Sequence, residues 1–228
     1  MTMKFLLDTF SPEAVRNTLE YFPIEGVTTN PAIICREHAP LKPVLLELRE
    51  LLAGKMLHVQ TLQTTADDMI KEAIALKNLL SRTEGDFFVK LPAVKEGLKA
   101  CRELKQLGVG VTMTAVFSPA QALICARAGA DFVAPYVNKL DDAGDGENCV
   151  SETVKLFGIF GLKTKVLSAS FRNVSQVRRI ALSGSHYITL PAAFYEKLIS
   201  HPMTEMAIEG FKNDWNTEYG NKLPLDML

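Results

Sequence analysis

Residues 109–136 read VGVTMTAVFSPAQALICARAGADFVAPY, and this stretch decides the fold. Val109–Thr114 is a short β-rich run. Ser118-Pro119 supplies an N-cap hydroxyl followed by a proline in the first helical turn, where a missing N–H costs nothing. Gly129 offers the left-handed stop that ends a helix. A second β-rich run, Phe132–Tyr136, follows at once. A strand, a helix of about three turns and another strand make a βαβ unit, which needs parallel strands and a right-handed crossover.

The same punctuation repeats along the chain. Lys4–Leu7, Gly26–Thr28, His58–Thr61, Phe87–Lys90, Lys165–Ala169 and Tyr187–Leu190 complete a set of eight strand candidates, each followed by a helix candidate. Ser11-Pro12 repeats the helix start, with Val15, Leu19 and Phe22 on one face. Thr65 caps a segment whose Met69, Ala73, Leu76 and Leu80 share a stripe, and Asn173 caps one that stops near Gly184. Eight units predict a single (β/α)8 TIM barrel, α/β in class, over residues 1–228. An open doubly wound sheet is the alternative, but no G-x-G-x-x-G follows the first strand and no phosphate loop of the G-x-x-x-x-G-K type appears. An extra helix over 202–218, with Met203, Ala207, Phe211 and Trp215 at every fourth position, lies outside the count. Its apolar stripe must be buried on its own barrel or on a neighbouring subunit.

Composition narrows the function. Of 228 residues, 47% are hydrophobic and 22% charged, a globular balance. Lys plus Arg number 25 against 26 Asp plus Glu, so no basic excess marks a nucleic-acid or membrane surface. No stretch nears the about 18–20 apolar residues that span a bilayer, and Met1–Asp8 is too short and too polar for a signal peptide. Cys35, Cys101, Cys125 and Cys149 form no C-x-x-C pair, and His38, His58, His186 and His201 have no metal-ligand spacing. These features predict a reduced, cytoplasmic protein with no metal and no cofactor. Residues 141–152 partly match a calcium loop, but Ala143 occupies a ligand position, so a flexible acidic loop is expected there. His58 and His186 are read as strand-start residues on the stability face of the barrel.

Active sites of such barrels sit at the C-terminal ends of the strands. The polar residues there are Asp8, Thr28 and Asn30, Gln60, Lys90, Thr114, Tyr136, and Ser170 with Arg172. Lys90 is the centre of interest. A lysine in a barrel mouth loses hydration, its pKa falls, and the neutral amine can attack a ketone to give a Schiff base. The alternative is a strand-end lysine that snorkels to solvent. Tyr136, with Gln60 and Thr114, could move protons through a water, or Tyr136 could be a half-buried aromatic. Asp8 could pair with Lys90 and, with Asn30, hold sugar hydroxyls, or it could cap the first helix. Arg172 and Ser170 lie where these barrels hold phosphate, or they form a solvated cap.

Asp8-Thr9, Gly26-Val27-Thr28-Thr29-Asn30-Pro31, Phe88-Val89-Lys90-Leu91-Pro92, Thr114-Ala115-Val116-Phe117, Val133-Ala134-Pro135-Tyr136-Val137-Asn138 and Ala169-Ser170-Phe171-Arg172 together resemble the transaldolase family. The likeness is greatest to its short fructose-6-phosphate aldolase subfamily, and it includes Ile188-Thr189-Leu190-Pro191 and the Trp215 helix. The resemblance implies metal-free class I aldol chemistry. Lys90 matches the Schiff-base lysine. Asp8, Thr28 and Asn30 match the donor-binding segment, Thr114 and Ser170 match pocket positions, and Arg172 matches the phosphate-binding cation. It also implies sugar phosphates and dihydroxyacetone as small-molecule partners. A homo-oligomer is implied too, a decamer of two pentameric rings with the last helix on a neighbour. Transaldolases carry glutamate and phenylalanine where Gln60 and Tyr136 stand; the aldolase branch carries glutamine and tyrosine. The expectation is therefore a lyase that splits fructose 6-phosphate into dihydroxyacetone and glyceraldehyde 3-phosphate. A transaldolase is the alternative, and a non-catalytic sugar-phosphate-binding barrel the second. Ala32, Phe117 and Lys139 depart from the subfamily pattern, Lys139 standing in for an arginine that would hold phosphate.

Overall fold

The computed structural model describes residues 2–80 and 85–228. The chain runs β1 (Lys4–Asp8), α1 (Pro12–Tyr21), β2 (Ile24–Thr28), α2 (Pro31–Glu37), α3 (Leu41–Leu51), β3 (Gly54–Gln60), α4 (Ala66–Leu80), β4 (Gly85–Pro92), α5 (Lys95–Gln106), β5 (Gly110–Val116), α6 (Pro119–Arg127), β6 (Phe132–Pro135), α7 (Val137–Asp142), α8 (Gly146–Ile159), β7 (Lys165–Ser168), α9 (Val174–Leu182), β8 (Tyr187–Leu190), α10 (Ala192–Ile199), α11 (Pro202–Tyr219) and a short 3₁₀ turn, Pro224–Met227. The eight strands pair in chain order, all parallel, and β8 pairs with β1 to close the barrel. The predicted (β/α)8 fold is the observed one.

The predicted caps are formed. Ser11 Oγ accepts from Ala14 N at 3.2 Å, and Ser118 Oγ accepts from Gln121 N at 3.1 Å. Asn173 Oδ1 accepts from Gln176 N at 2.9 Å, one half of a reciprocal capping box. Each satisfies an N–H that a helix start leaves without an intrahelical partner.

Contacts group the chain into two units, Met1–Tyr195 and Glu196–Leu228. In the first, the barrel strands bury one face against the ring of helices, in a core that includes Leu7, Val27, Leu57, Val89, Val111, Val133, Val166 and Ile188. Their other face points into the barrel. There Leu6, Met56, Phe132 and Leu167 form a separate apolar cluster with Phe88 and Tyr187 against it, the floor of the barrel. Gly26 is shaped by this floor. A Cβ at this position would sit 2.4 Å from Met56 O and 2.7 Å from Met56 Cβ, so β2 approaches β3 only with no side chain there. In the second unit, α11 is held to its own C-terminal turn: Trp215 Nε1 donates to Lys222 O at 2.7 Å, and the Trp215 and Tyr219 rings lie 4.6 Å apart.

Two expectations are corrected. Residues 141–152 are not a flexible loop but the end of α7, a three-residue turn and the start of α8. Asp141 Oδ2 accepts from Arg179 Nη2 at 2.8 Å and from Gln176 Nε2 at 2.6 Å, so α9 supplies the charge and the donors that order this acidic stretch. His58 is not at a strand start. Strand β3 begins four residues earlier, and His58 lies inside the barrel, fully buried. Its Nδ1 is 2.9 Å from Thr112 Oγ1, and its ring stacks on Phe88 with centroids 4.7 Å apart.

Candidate active site

The site is built two residues above the floor, on the same strands. Side chains alternate along a strand, so Leu6 in the barrel interior places Asp8 there, Phe88 places Lys90 there, and His58 places Gln60 there. Gln60 and Lys90 are register partners on β3 and β4. A cavity of about 480 Å3 opens at this end, lined by Asp8, Asn30, Ala32, Arg36, Gln60, Lys90, Tyr136 and Ser170 among others.

Lys90 is 5% exposed, and its Nζ donates to Thr29 O at 2.7 Å. It does not snorkel to solvent. Burial lowers its pKa below the ordinary lysine value, and the Asp8 carboxylate opposes that shift. Asp8 shows the mirror behaviour: burial raises its pKa, while Lys90, Thr28 and Arg36 pull it back. The two groups thus stabilise each other's charged forms in a place that penalises both. Thr28 Oγ1 donates to Asp8 Oδ1 at 2.7 Å and lies 2.7 Å from Thr189 Oγ1, a hydroxyl chain that fixes the carboxylate. Ser11, not Asp8, caps α1.

Opposite Asp8, Tyr136 Oη lies 3.0 Å from Thr114 Oγ1, and the Tyr136 ring meets the edge of Phe117 at 5.7 Å. The Gln60 Oε1 atom is buried without a partner, as are His58 Nε2 and Asn138 Oδ1. Burial, with Lys90 nearby, drives the His58 pKa down to about 3, so the imidazole is neutral beneath the amine. The backbone is also unusual at the rim: Ala115 has φ 57° and Ser170 φ 66°. Ala115 sits where the β5–β6 register shifts, a bulge at the mouth of the barrel. Left-handed conformations at non-glycine residues carry strain that the surroundings must hold, and such positions gather at functional sites.

Asp8, Asn30, Gln60, Lys90, Tyr136 and Ser170 therefore converge on one cavity. Asn30 also caps α2, accepting from Ile33 N at 3.0 Å. Thr28 and Thr114 are buried just behind, each bonded to a residue that lines it. Arg172 and Lys139 are not among the cavity's lining residues. Arg172 is held by Asp142 through two bonds of 2.7 and 3.1 Å and is 59% exposed, and Lys139 is exposed on α7.

The Transaldolase/Fructose-6-phosphate aldolase family pattern matches residues 5–222. The chain belongs to this family. A protein of Symbiobacterium thermophilum described as a probable transaldolase is 37% identical over 219 residues, 96% of this chain and 99% of that one. One of Listeria monocytogenes described as probable transaldolase 2 is 36% identical, with 93% and 96% covered. One of Aquifex aeolicus, again a probable transaldolase, is 37% identical with the same coverage.

Sequence reasoning missed two residues at the site. Arg36 lines the cavity from α2, and His58 sits under Lys90. The signal for His58 was its spacing of two from Gln60 on one strand. For Arg36 it was the Asn30-Pro31 pair, a capping residue followed by a helix-starting proline, which puts position 36 on the first helix after β2. Among the described residues, no group of three or more His, Cys, Asp or Glu is placed to hold a metal ion, and no helix is long and apolar enough to cross a membrane.

Proposed function

We propose that the protein is a class I enzyme that makes and breaks a carbon–carbon bond in phosphorylated ketoses, passing a dihydroxyacetone unit between sugars as a transaldolase does. The burial of Lys90 in the cavity at the barrel rim carries this reading, because burial lowers its pKa and so raises the fraction of neutral, nucleophilic amine. The relatives' descriptions weigh toward transfer.

The neutral Lys90 amine attacks C2 of the ketose, and the carbinolamine loses water to give an iminium. The C4 hydroxyl gives up its proton, the C3–C4 bond breaks, and its electron pair enters the iminium to form an enamine. The aldehyde half leaves. The enamine C3 then attacks a second aldehyde, the new alkoxide is protonated, and water releases the ketose and restores Lys90. In this reading Tyr136 and Gln60 handle the protons through a water, and Asp8 with Asn30 holds hydroxyl groups; their convergence on one cavity supports it.

A second reading has the enamine protonated and released to water as dihydroxyacetone, the fructose-6-phosphate aldolase reaction. Gln60 and Tyr136 favour it, since they are the aldolase-branch pair, and an amide cannot act as the base that a glutamate would supply at that position. A cytoplasmic setting and a decamer belong to the same reading. The free cysteines support the first, and α11, with no buried residue, supports the second.

Product analysis tests the proposal. With fructose 6-phosphate alone, a transaldolase releases at most one equivalent of glyceraldehyde 3-phosphate per subunit and turns over only when erythrose 4-phosphate is added. Steady release of free dihydroxyacetone without an acceptor would contradict transfer and favour the lyase.

A further inference from the structure

We propose that Thr189, on β8, is a positioning residue for the reaction: its hydroxyl donates to Thr28 and so fixes the direction of a hydroxyl chain that holds the Asp8 carboxylate in one orientation at the rim. The proposal rests on the class I reading above, which makes Asp8 part of the reacting site.

Strand register brings the three groups together. β1 lies between β8 and β2 in the barrel. Tyr187 packs against the floor cluster, and side chains alternate along a strand, so Thr189 points into the barrel two residues higher. Asp8 and Thr28 are register partners, while Thr189 pairs with Leu6, one layer below Asp8. Thr28 and Thr189 are 1% and 2% exposed, so bulk water does not compete for their hydroxyls.

Proton counting sets the direction. A threonine hydroxyl has one proton to donate and two lone pairs. Thr28 gives its proton to Asp8 Oδ1 at 2.7 Å. The 2.7 Å contact between Thr28 Oγ1 and Thr189 Oγ1 therefore uses the Thr189 proton. Both protons point toward the carboxylate, and each bond polarises the next. Burial disfavours the Asp8 charge, and Lys90 on β4 and Arg36 on α2 favour it. Neither cation orients it: Lys90 Nζ donates to Thr29 O at 2.7 Å, and among the described residues no hydrogen bond joins Lys90 or Arg36 to Asp8. Tyr195 on α10 also faces Asp8, its pKa pushed up by burial and then by the Asp8 charge, but its hydroxyl donates to Leu6 O at 2.7 Å. Among the described residues, the threonine chain is thus the one hydrogen-bonded hold on the carboxylate. It clamps Oδ1 and leaves Oδ2 for the cavity that Asp8 lines.

The pH profile of kcat/KM for fructose 6-phosphate cleavage, with erythrose 4-phosphate present, tests this in the wild type, Thr189→Val, Thr189→Ser, Thr28→Val and the variant carrying both valines. Thr189→Val exchanges the hydroxyl for a methyl of about the same size. It is expected to lower kcat/KM about 3- to 10-fold and to move the acid limb up by about half a pH unit, because a bond to a charged acceptor loses more than one to a neutral acid when its polarising donor is removed. Thr189→Ser keeps the wild-type profile. In the Thr28→Val background the Thr189→Val change lowers kcat/KM by less than about twofold, since the path through Thr28 is already cut. An acid limb that stays or falls in Thr189→Val, a serine variant as impaired as the valine one, or full additivity of the two valines overturns the proposal, even if Thr189→Val melts earlier. If the wild type forms no borohydride-trappable adduct with dihydroxyacetone, the class I reading fails by itself. Infrared titration of the carboxyl band that Asp8→Asn removes then still decides the role of Thr189: a band that titrates at higher pH in Thr189→Val than in the wild type supports it, and an unmoved or lowered one overturns it.

Discussion

The floor and the rim of this barrel are made by the same strands, two residues apart, yet they obey opposite rules. Leu6, Met56, Phe132 and Leu167 close the floor as apolar groups in contact, with no polar atom to satisfy. Asp8, Gln60, Lys90 and Tyr136 open the rim as polar groups around a cavity, and Gln60 Oε1 is buried without a partner. His58 lies between them, with a ring packed on the floor aromatics and one nitrogen that has no partner. The floor contributes stability through area removed from water. The rim spends some of it by burying an amine and a carboxylate that each prefer water. The contrast teaches that chemistry here is placed by strand register: shifting any one strand by a residue would turn its polar side chain toward the helices.

The largest effect separating the two ends is on turnover. Lys90→Met is expected to abolish carbon–carbon cleavage, a fall of at least about 10⁴-fold in kcat, while folding normally. Its melting temperature at pH 7 should stay within a few degrees of the wild type, because two effects oppose. Unfolding lets the wild-type amine take up a proton below its ordinary pKa of 10.5, a loss of stability that methionine removes, whereas the buried Asp8 carboxylate is left without its cation. A Lys90→Met protein that melts well below the wild type would show that the amine is a structural group of the rim.

At the floor the expected losses are in stability. Gly26→Ala pushes a methyl into Met56 backbone and side chain and should cost about 3 kcal/mol in urea unfolding, with the Schiff-base chemistry retained in the fraction that folds. A neutral result would mean that β2 and β3 can separate without harm.

His58 gives a smaller, pH-dependent effect. Its pKa falls to about 3 on folding from an ordinary 6.5. The unfolded chain therefore binds a proton that the folded chain refuses, and stability is lost as pH drops below about 6.5. His58→Phe keeps an aromatic ring against Phe88 and Phe132. Between pH 6.5 and 4.5 the wild type should lose about 2–3 kcal/mol more than this variant, as read by denaturant unfolding at each pH. Parallel curves would contradict the neutral, proton-refusing imidazole.

The smallest expected effect concerns the proton path. Tyr136→Phe deletes the hydroxyl bonded to Thr114 and should lower kcat about 10- to 100-fold with little change in stability. An unchanged kcat would remove Tyr136 from the reaction.

The closed barrel was legible because its signals are local. Ser118-Pro119 and Gly129 bracket a helix, and β-rich runs recur between such brackets, so parallel pairing follows. The polar residues at strand ends were legible for the same reason, since strand direction alone puts Lys90 and Asp8 on one rim. What escaped depends on contacts distant in sequence. The helices over 141–152 need Arg179 and Gln176, more than 30 positions on, to take up Asp141. The ion pair of Arg172 with Asp142 joins positions 30 apart, and no local pattern announces it. The interior setting of His58 needs the true start of β3, and element ends are the least certain feature of a sequence pattern.

Everything about the rim turns on Lys90 forming a covalent bond with a ketone. Borohydride reduction in the presence of dihydroxyacetone, followed by digestion and mass analysis of the peptides, measures this directly. The account predicts one reduced three-carbon unit per subunit, located on Lys90 and absent from Lys90→Met. An unlabelled Lys90, or a label found equally on the exposed lysines, would contradict it.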